Sequence, residues 1–190
     1  MKCRYSGQEI SRLMSFGQMP LGNGFVKEQH PEEEYFFEMS ISVNNEIGLL
    51  QLEEQPDPKK MFHESYAFFS RSSAFMKEHF KNMAQEITNL LDKNFSRDES
   101  QFVVEIGSND GVMLEHLVNN GIKCLGVEPS LNVAEVSHQY GVKTINEFIS
   151  VDTAHKISNS HGYANVVYAA NVFCHIPDIN DLVRACSNLL

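Results

Sequence analysis

Apolar positions along this chain follow two different rhythms. From Phe102 onward, short apolar runs alternate with segments in which apolar residues return every three or four positions. That is the signature of strands alternating with amphipathic helices. The runs predict strands at 102–106, 123–127, 142–145 and 165–170, with helices near 112–120, 132–140, 152–159 and 179–190. A chain built this way forms a parallel sheet covered on both faces. Upstream, residues 63–91 read as helical, with Phe75, His79, Met83, Ile87 and Leu90 or Leu91 on one face. Residues 1–60 are punctuated by glycine and proline. Only 36–43 and 47–52 read as strands there, joined in a hairpin around Asn44 and Asn45. The expectation is an α/β protein in three parts: a small β-rich module at 1–60, a helical linker at 61–100, and a sheet of about four parallel strands at 101–190.

The most informative segment is Q-F-V-V-E-I-G-S-N-D-G, at 101–111, where the first of these strands runs into a tight turn holding Gly107 and Gly111. The next strand ends in L-G-V-E-P-S, which places Glu128 about 20 residues after the turn, the offset at which nucleotide-binding α/β folds grip a ribose hydroxyl. A turn free of side-chain bulk lets a ligand lie against the backbone. Dinucleotide sites use G-x-G-x-x-G, because a pyrophosphate must rest on helix N-terminal amides. Here Asp110 stands in the middle of the turn. Its carboxylate repels a pyrophosphate and suits the ammonium or sulfonium of S-adenosyl-L-methionine (SAM). An NAD-linked oxidoreductase is the disfavoured alternative.

Composition narrows the setting. An apolar share of 42% supports a packed core, and the N-terminus M-K-C-R-Y-S-G has no apolar signal core. No apolar stretch is long enough to span a membrane. The four cysteines, Cys3, Cys124, Cys174 and Cys186, lack paired spacing, so a reducing cytoplasm is expected. A net charge of −10 argues against nucleic acid or an anionic membrane as partner.

Four blocks in order, M-F-H-E-S-Y-A-F-F-S-R-S-S, E-I-G-S-N-D-G, L-G-V-E-P-S and A-N-V-V-Y-A-A-N-V-F-C-H-I-P-D, resemble the SAM-dependent C-methyltransferases that act on nucleotide-linked keto-deoxysugars in deoxysugar biosynthesis. The resemblance covers this whole chain and the first half of a typical member. It implies a Rossmann-like methyltransferase sheet with SAM as cofactor. Gly107, Ser108, Asn109 and Gly111 would surround the methionine part, and Glu128 the ribose. Pro129, Ser130 and Asn132 would form the far edge, Asn146 and Phe148 would flank the adenine, and Asn171 would lie beneath the reactive methyl. For Ser130 and Asn132, helix N-capping is an equal alternative.

The same resemblance implies an N-terminal zinc module with Cys-x-x-Cys pairs. Here Cys3 keeps its place, while Ser6, Asn44 and Ile47 stand at the other positions. Structural zinc takes about four nitrogen, sulfur or carboxylate ligands, so no metal is expected unless His30 or His63 substitutes. The aromatic cluster Phe25, Tyr35, Phe36 and Phe37 is then expected to form the module's core. Tyr66 matches an active-site tyrosine. The family's histidine base, in a Tyr-x-Glu-His segment, has no counterpart here, which leaves His175 as a catalytic candidate or a structural histidine. The run V-V-Y-A-A at 166–170 reads as an exposed sheet edge. It calls for a second polypeptide, for self-association, or for further chain. An inactive remnant or non-catalytic binding partner is the remaining alternative.

Overall fold

A computed structural model describes residues 1–26, 34–96 and 101–190. The chain divides into two compact units, Met1–Phe62 with Ile176–Asn180, and His63–His175 with Asp181–Leu190.

The first unit is a three-stranded antiparallel sheet ordered β1-β2-β3, from β1 (Ser11–Pro20), β2 (Phe36–Asn44) and β3 (Leu49–Leu52). β2 and β3 form the expected hairpin, with Asn44 opposite Leu49. β1 escaped the sequence reading because it has no alternation to find: all ten of its residues are exposed. The expected aromatic core does not form. Phe25 is 78% and Phe36 48% exposed, and of the four aromatics only Phe37 is buried. The buried face of β2 is polar instead, carrying Ser40, Ser42 and Asn44, with Gln51 of β3 beside Ser42. Glu53 binds that face together, accepting from Ser40 and Ser42 and pairing with Arg12. Arg12 and then Ser42 hold its carboxyl down at about 2. After a one-turn helix α1 (Pro58–Met61), capped by Asp57, the first unit ends.

In the second unit the helix α2 (Ala74–Asn94) begins at the cap Ser73. Residues 63–73 are not α-helical as expected, apart from a 3-10 turn at Ser70–Ser72. The buried face of α2 shares Ile87 and Leu91 with the expected one but differs toward the start of the helix. It consists of Phe80, Ala84, Ile87 and Leu91, whereas Phe75 and His79 are exposed. Both stripes have helical spacing. The observed one packs against α3 (Val112–Asn119), in one cluster with Met113, Leu114 and Leu117.

The βα alternation then runs as expected: β4 (Phe102–Ile106), α3, β5 (Lys123–Val127), α4 (Leu131–Gln139), β6 (Thr144–Ile145), α5 (Val151–His161), β7 (Val166–Ala169) and α6 (Ile179–Leu189). The strands are parallel and ordered β6-β5-β4-β7. β4 is therefore central and fully buried, and the order reverses beside it. Alternation along β4 sends Val103 toward the α2–α3 cluster, and Phe102 and Val104 toward Ala154, Ile157, Ala185 and Leu189 of α5 and α6. β7 is half-buried throughout and is paired with β4 alone among the described strands.

The two α2 stripes are separable by mutation. Phe80→Ala should cost about 3–5 kcal/mol in urea unfolding, as expected for a large-to-small change in a packed core. Phe75→Ala should stay within about 0.5 kcal/mol. The reverse ranking would restore the stripe expected from sequence.

Candidate functional site

In open α/β sheets ligands bind beyond the carboxyl ends of the strands, where the strand order reverses. In this unit that place is the turn after β4 and its neighbours after β5 and β7. Two glycines shape the first turn. Gly107 and Gly111 have φ of +68° and +70°, left-handed values that L side chains rarely adopt. A Cβ on Gly107 would sit 2.5 Å from Val172 Cγ2, and one on Gly111 2.9 Å from Ser137 Cβ. Asn109, between them, also has a positive φ of 49°, which asparagine tolerates better than most residues.

Glu128 joins this turn to the one after β5. Its Oε2 accepts from Asn109 N at 3.0 Å and its Oε1 from Ser130 N at 2.8 Å. Asn146, following β6, donates through Nδ2 to the carbonyls of Glu128 and Pro129, at 2.9 and 2.8 Å. Asn109, Glu128, Pro129, Ser130 and Asn146 are thus one hydrogen-bonded group. Neither expected N-cap forms. Ser130 caps α4 by position but makes no side-chain cap bond, and Asn132 Nδ2 donates to Tyr66 O at 2.8 Å instead.

Three carboxyl groups are buried here: Glu105, Asp110 and Glu128, at 3%, 0% and 4% exposure. Burial pushes Glu105 well above the ordinary carboxylate range, and the charges of Glu128 and Asp110 push it further. Burial also raises Asp110, against an opposing hydrogen bond from Arg71 N, and raises Glu128, against bonds from Ser130 and Asn109. Several buried polar atoms at these turns and strand ends have no protein partner: Glu105 Oε2, Ser108 Oγ, Asp110 Oδ1, Ser130 Oγ and Asn132 Oδ1. Buried polar groups are rarely left so. A ligand with cationic and hydroxyl groups answers this set, so the residues fit SAM. Glu105 is the member the sequence reading left without a role, although a charge inside the apolar run F-V-V-E-I was the signal.

Residues 66–72 lie across these turns. Asn109 Nδ2 donates to Phe68 O, Asn109 Oδ1 accepts from Ser70 N, and Asp110 Oδ2 accepts from Arg71 N, at 3.1, 3.0 and 2.8 Å. The Arg71 guanidinium pairs with Glu115 and stacks over Tyr140 at 3.5 Å from the ring centroid. Tyr66 is half-buried. Phe148 is exposed after β6, and beyond β7 Asn171 is exposed with φ +55°. His175 is exposed at the end of a 3-10 turn closed by its N donating to Val172 O.

Residues 75–190 match the family described as a methyltransferase domain. The chain belongs to that family. Residues 3–62, ahead of the methyltransferase domain, match a putative zinc binding domain. The whole chain is 29% identical over 191 residues to the C-methyltransferase NovU of Streptomyces niveus, and spans 44% of that protein's length. Among solved structures it is similar to the magnesium protoporphyrin IX methyltransferase ChlM of Synechocystis PCC 6803 with bound SAM. That similarity has a TM-score of 0.46 and 11% identity, over 69% of this chain and 63% of that one.

Cys3, Ser6, Asn44 and Ile47 by themselves do not make a zinc ligand set. Cys3–Gly7 and Asn44–Gly48 form two like turns: Gly7 N donates to Cys3 O and Gly48 N to Asn44 O, at 2.9 and 2.8 Å, and both glycines have φ near +70°. Cys3, Ser6 and Asn44 adjoin, with hydrogen bonds chiefly from Ser6 drawing the buried Cys3 thiol down to about 7. Ile47 is 49% exposed. Among the described residues no group of three or more His, Cys, Asp and Glu could hold a metal. Of the two possible stand-ins, His30 lies outside the described residues, and His63 belongs to the second unit, where Nδ1 accepts from Ser65 N. Among the described residues no helix is long and apolar enough to cross a membrane.

Two outcomes follow. Purified protein should contain little zinc by elemental analysis, and chelator should leave its melting temperature unchanged; one zinc per chain would refute this. The raised carboxyls predict an unusual pH dependence. The ligand-free fold binds protons the unfolded chain has released. Its stability is therefore full below the ordinary carboxylate pKa and is lost as pH rises through the raised values. The loss is at most about 1.4 kcal/mol per pH unit for each group. Thermal melts from about pH 5 to 8 should fall with pH, and Glu105→Gln should flatten the slope.

Proposed function

We propose that this chain is the cofactor-binding part of a SAM-dependent C-methyltransferase acting on a nucleotide-linked keto-deoxysugar. The observation that carries the cofactor choice is the trio of buried carboxyls, Glu105, Asp110 and Glu128. They suit a cation and repel the pyrophosphate of a dinucleotide, which weighs against the NAD-linked alternative. When bound, SAM supplies a methyl group activated by its sulfonium charge. Glu128, oriented by two backbone amides, keeps lone pairs for a ribose diol. The family supports methyl transfer, the 29% identity to a C-methyltransferase supports transfer to carbon, and the quoted sequence blocks support the sugar.

Transfer to a carbon beside a keto group needs a base to remove its proton and donors to hold the enolate. In this reading Tyr66 and His175 meet the substrate, and the base is supplied from outside these residues. The half-buried β7 edge supports that view, since a further strand, from a second polypeptide or a second copy, would cover it.

Calorimetric titration should detect SAM binding and weaker or no NAD binding. Glu128→Ala should weaken SAM by roughly 1–3 kcal/mol through lost charge-assisted hydrogen bonds. A cation favours ionised carboxylates, so SAM affinity should rise with pH. Equal affinity for both cofactors would refute the reading. Incubated alone with labelled SAM and a thymidine-diphosphate keto-deoxyhexose, the chain should transfer no label at an ordinary enzyme rate. In this reading part of the substrate site comes from outside these residues, so a proximity advantage of up to roughly 7–11 kcal/mol is largely lost. Turnover abolished by His175→Ala would instead make His175 the base.

A further inference from the structure

Asn109 stands in the turn where a cofactor is expected, yet its side chain is already committed. Nδ2 donates to Phe68 O and Oδ1 accepts from Ser70 N, so one carboxamide bridges two backbone groups two residues apart. Its backbone N–H is committed as well, to Glu128 Oε2. A second asparagine repeats the device from the next turn: Asn132, on the first turn of α4, donates to Tyr66 O. Asp110 adds a third hold through Arg71 N. The segment 66–71 has little regular structure of its own, one 3-10 turn beginning at Ser70. Its backbone is nevertheless fixed at four positions by side chains from the turns after β4 and β5.

We propose that Asn109 and Asn132 are positioning residues that clamp residues 66–71 across the cofactor-binding turns, so that strap and cofactor stabilise each other. The proposal rests on the SAM reading. Asn109 is the hub, because the same residue anchors Glu128, the ribose candidate, through its main chain and the strap through its side chain. A ligand that fixes Glu128 therefore fixes the strap, and a loosened strap frees the turn that holds Glu128. Asn109 then acts on the cofactor through geometry and not through its carboxamide.

The positive φ of Asn109 makes a clean variant available. Asn109→Gly keeps the turn conformation accessible and removes only the clamp. Asn109→Asp keeps an acceptor for Ser70 N but sets a carboxylate against Phe68 O, so it should fall between wild type and Asn109→Gly. Asn132→Ala tests the other end of the strap and serves if Asn109→Gly fails to fold. The readouts are amide hydrogen exchange at Ser70, exchange at Val103 and Val104 in β4, and SAM affinity by calorimetry. In wild type, SAM should slow Ser70 exchange. In Asn109→Gly, Ser70 should exchange at least tenfold faster while Val103 and Val104 are unchanged, and SAM affinity should fall five- to fiftyfold. A merely structural role would speed exchange in β4 as well. Unchanged Ser70 exchange, or SAM affinity within twofold of wild type in both Asn109→Gly and Asn132→Ala, would overturn the proposal. If wild type binds no SAM, the functional reading fails by itself, and Ser70 exchange in ligand-free wild type and variant still decides whether the clamp exists.

Discussion

A carboxyl group in the middle of the central strand sets the terms for the second unit. Glu105 lies on β4 between Gly126 of β5 and Tyr168 of β7, in register with both, and is 3% exposed. Isolated burial of a charge is costly, and the usual escape is to take up a proton. Glu128 and Asp110 make ionisation harder still. The surrounding strand and helix packing offsets this local penalty, with apolar clusters on both faces of the sheet. Gly126, the β5 partner of Glu105, leaves room for Ser108 and Thr144: a Cβ there would collide with Ser108 and come 2.8 Å from Thr144 Oγ1.

The turns beyond β4 and β5 are joined through Glu128. Two left-handed glycines and a left-handed asparagine bring backbone amides to Glu128, and the asparagine side chain gathers in residues 66–71. Arg71 supplies the counterweight. Its guanidinium lies on the Tyr140 ring and is paired with Glu115, so positive charge is held near Asp110 without entering the turn as a free ligand. Segment, turn and strand ends therefore form one cooperative piece of the methyltransferase domain.

The first unit reaches stability by another route. At its two glycine turns, Cys3–Gly7 and Asn44–Gly48, the side chains hydrogen-bond among themselves. The sheet buries serines, an asparagine and a glutamine on one face, satisfied through Glu53, Arg4 and neighbouring backbone groups. Polar interiors of this kind are rigid only when each member has its partner. Removing Glu53 would leave Ser40, Ser42 and Arg12 short of theirs together.

The α/β order, the four parallel strands and the tight turn after the first of them were legible in the sequence, because they depend on local rules. A fully buried strand is an apolar run, an amphipathic helix has its own period, and a turn with left-handed residues requires glycine. Gly107 and Gly111 could be named as turn residues for that reason. What depends on distant partners could not. The buried stripe of α2 was decided by its packing against α3, and β1 exists only because β2 offers it a hydrogen-bonding edge. Phe25 and Phe36 of the first unit stayed exposed, while serines, an asparagine and a glutamine took the buried face. Asn109 and Asn132 look in sequence like a cofactor contact and a helix cap. Only the fold brought residues 66–71 within reach of their side chains and gave those amides other partners.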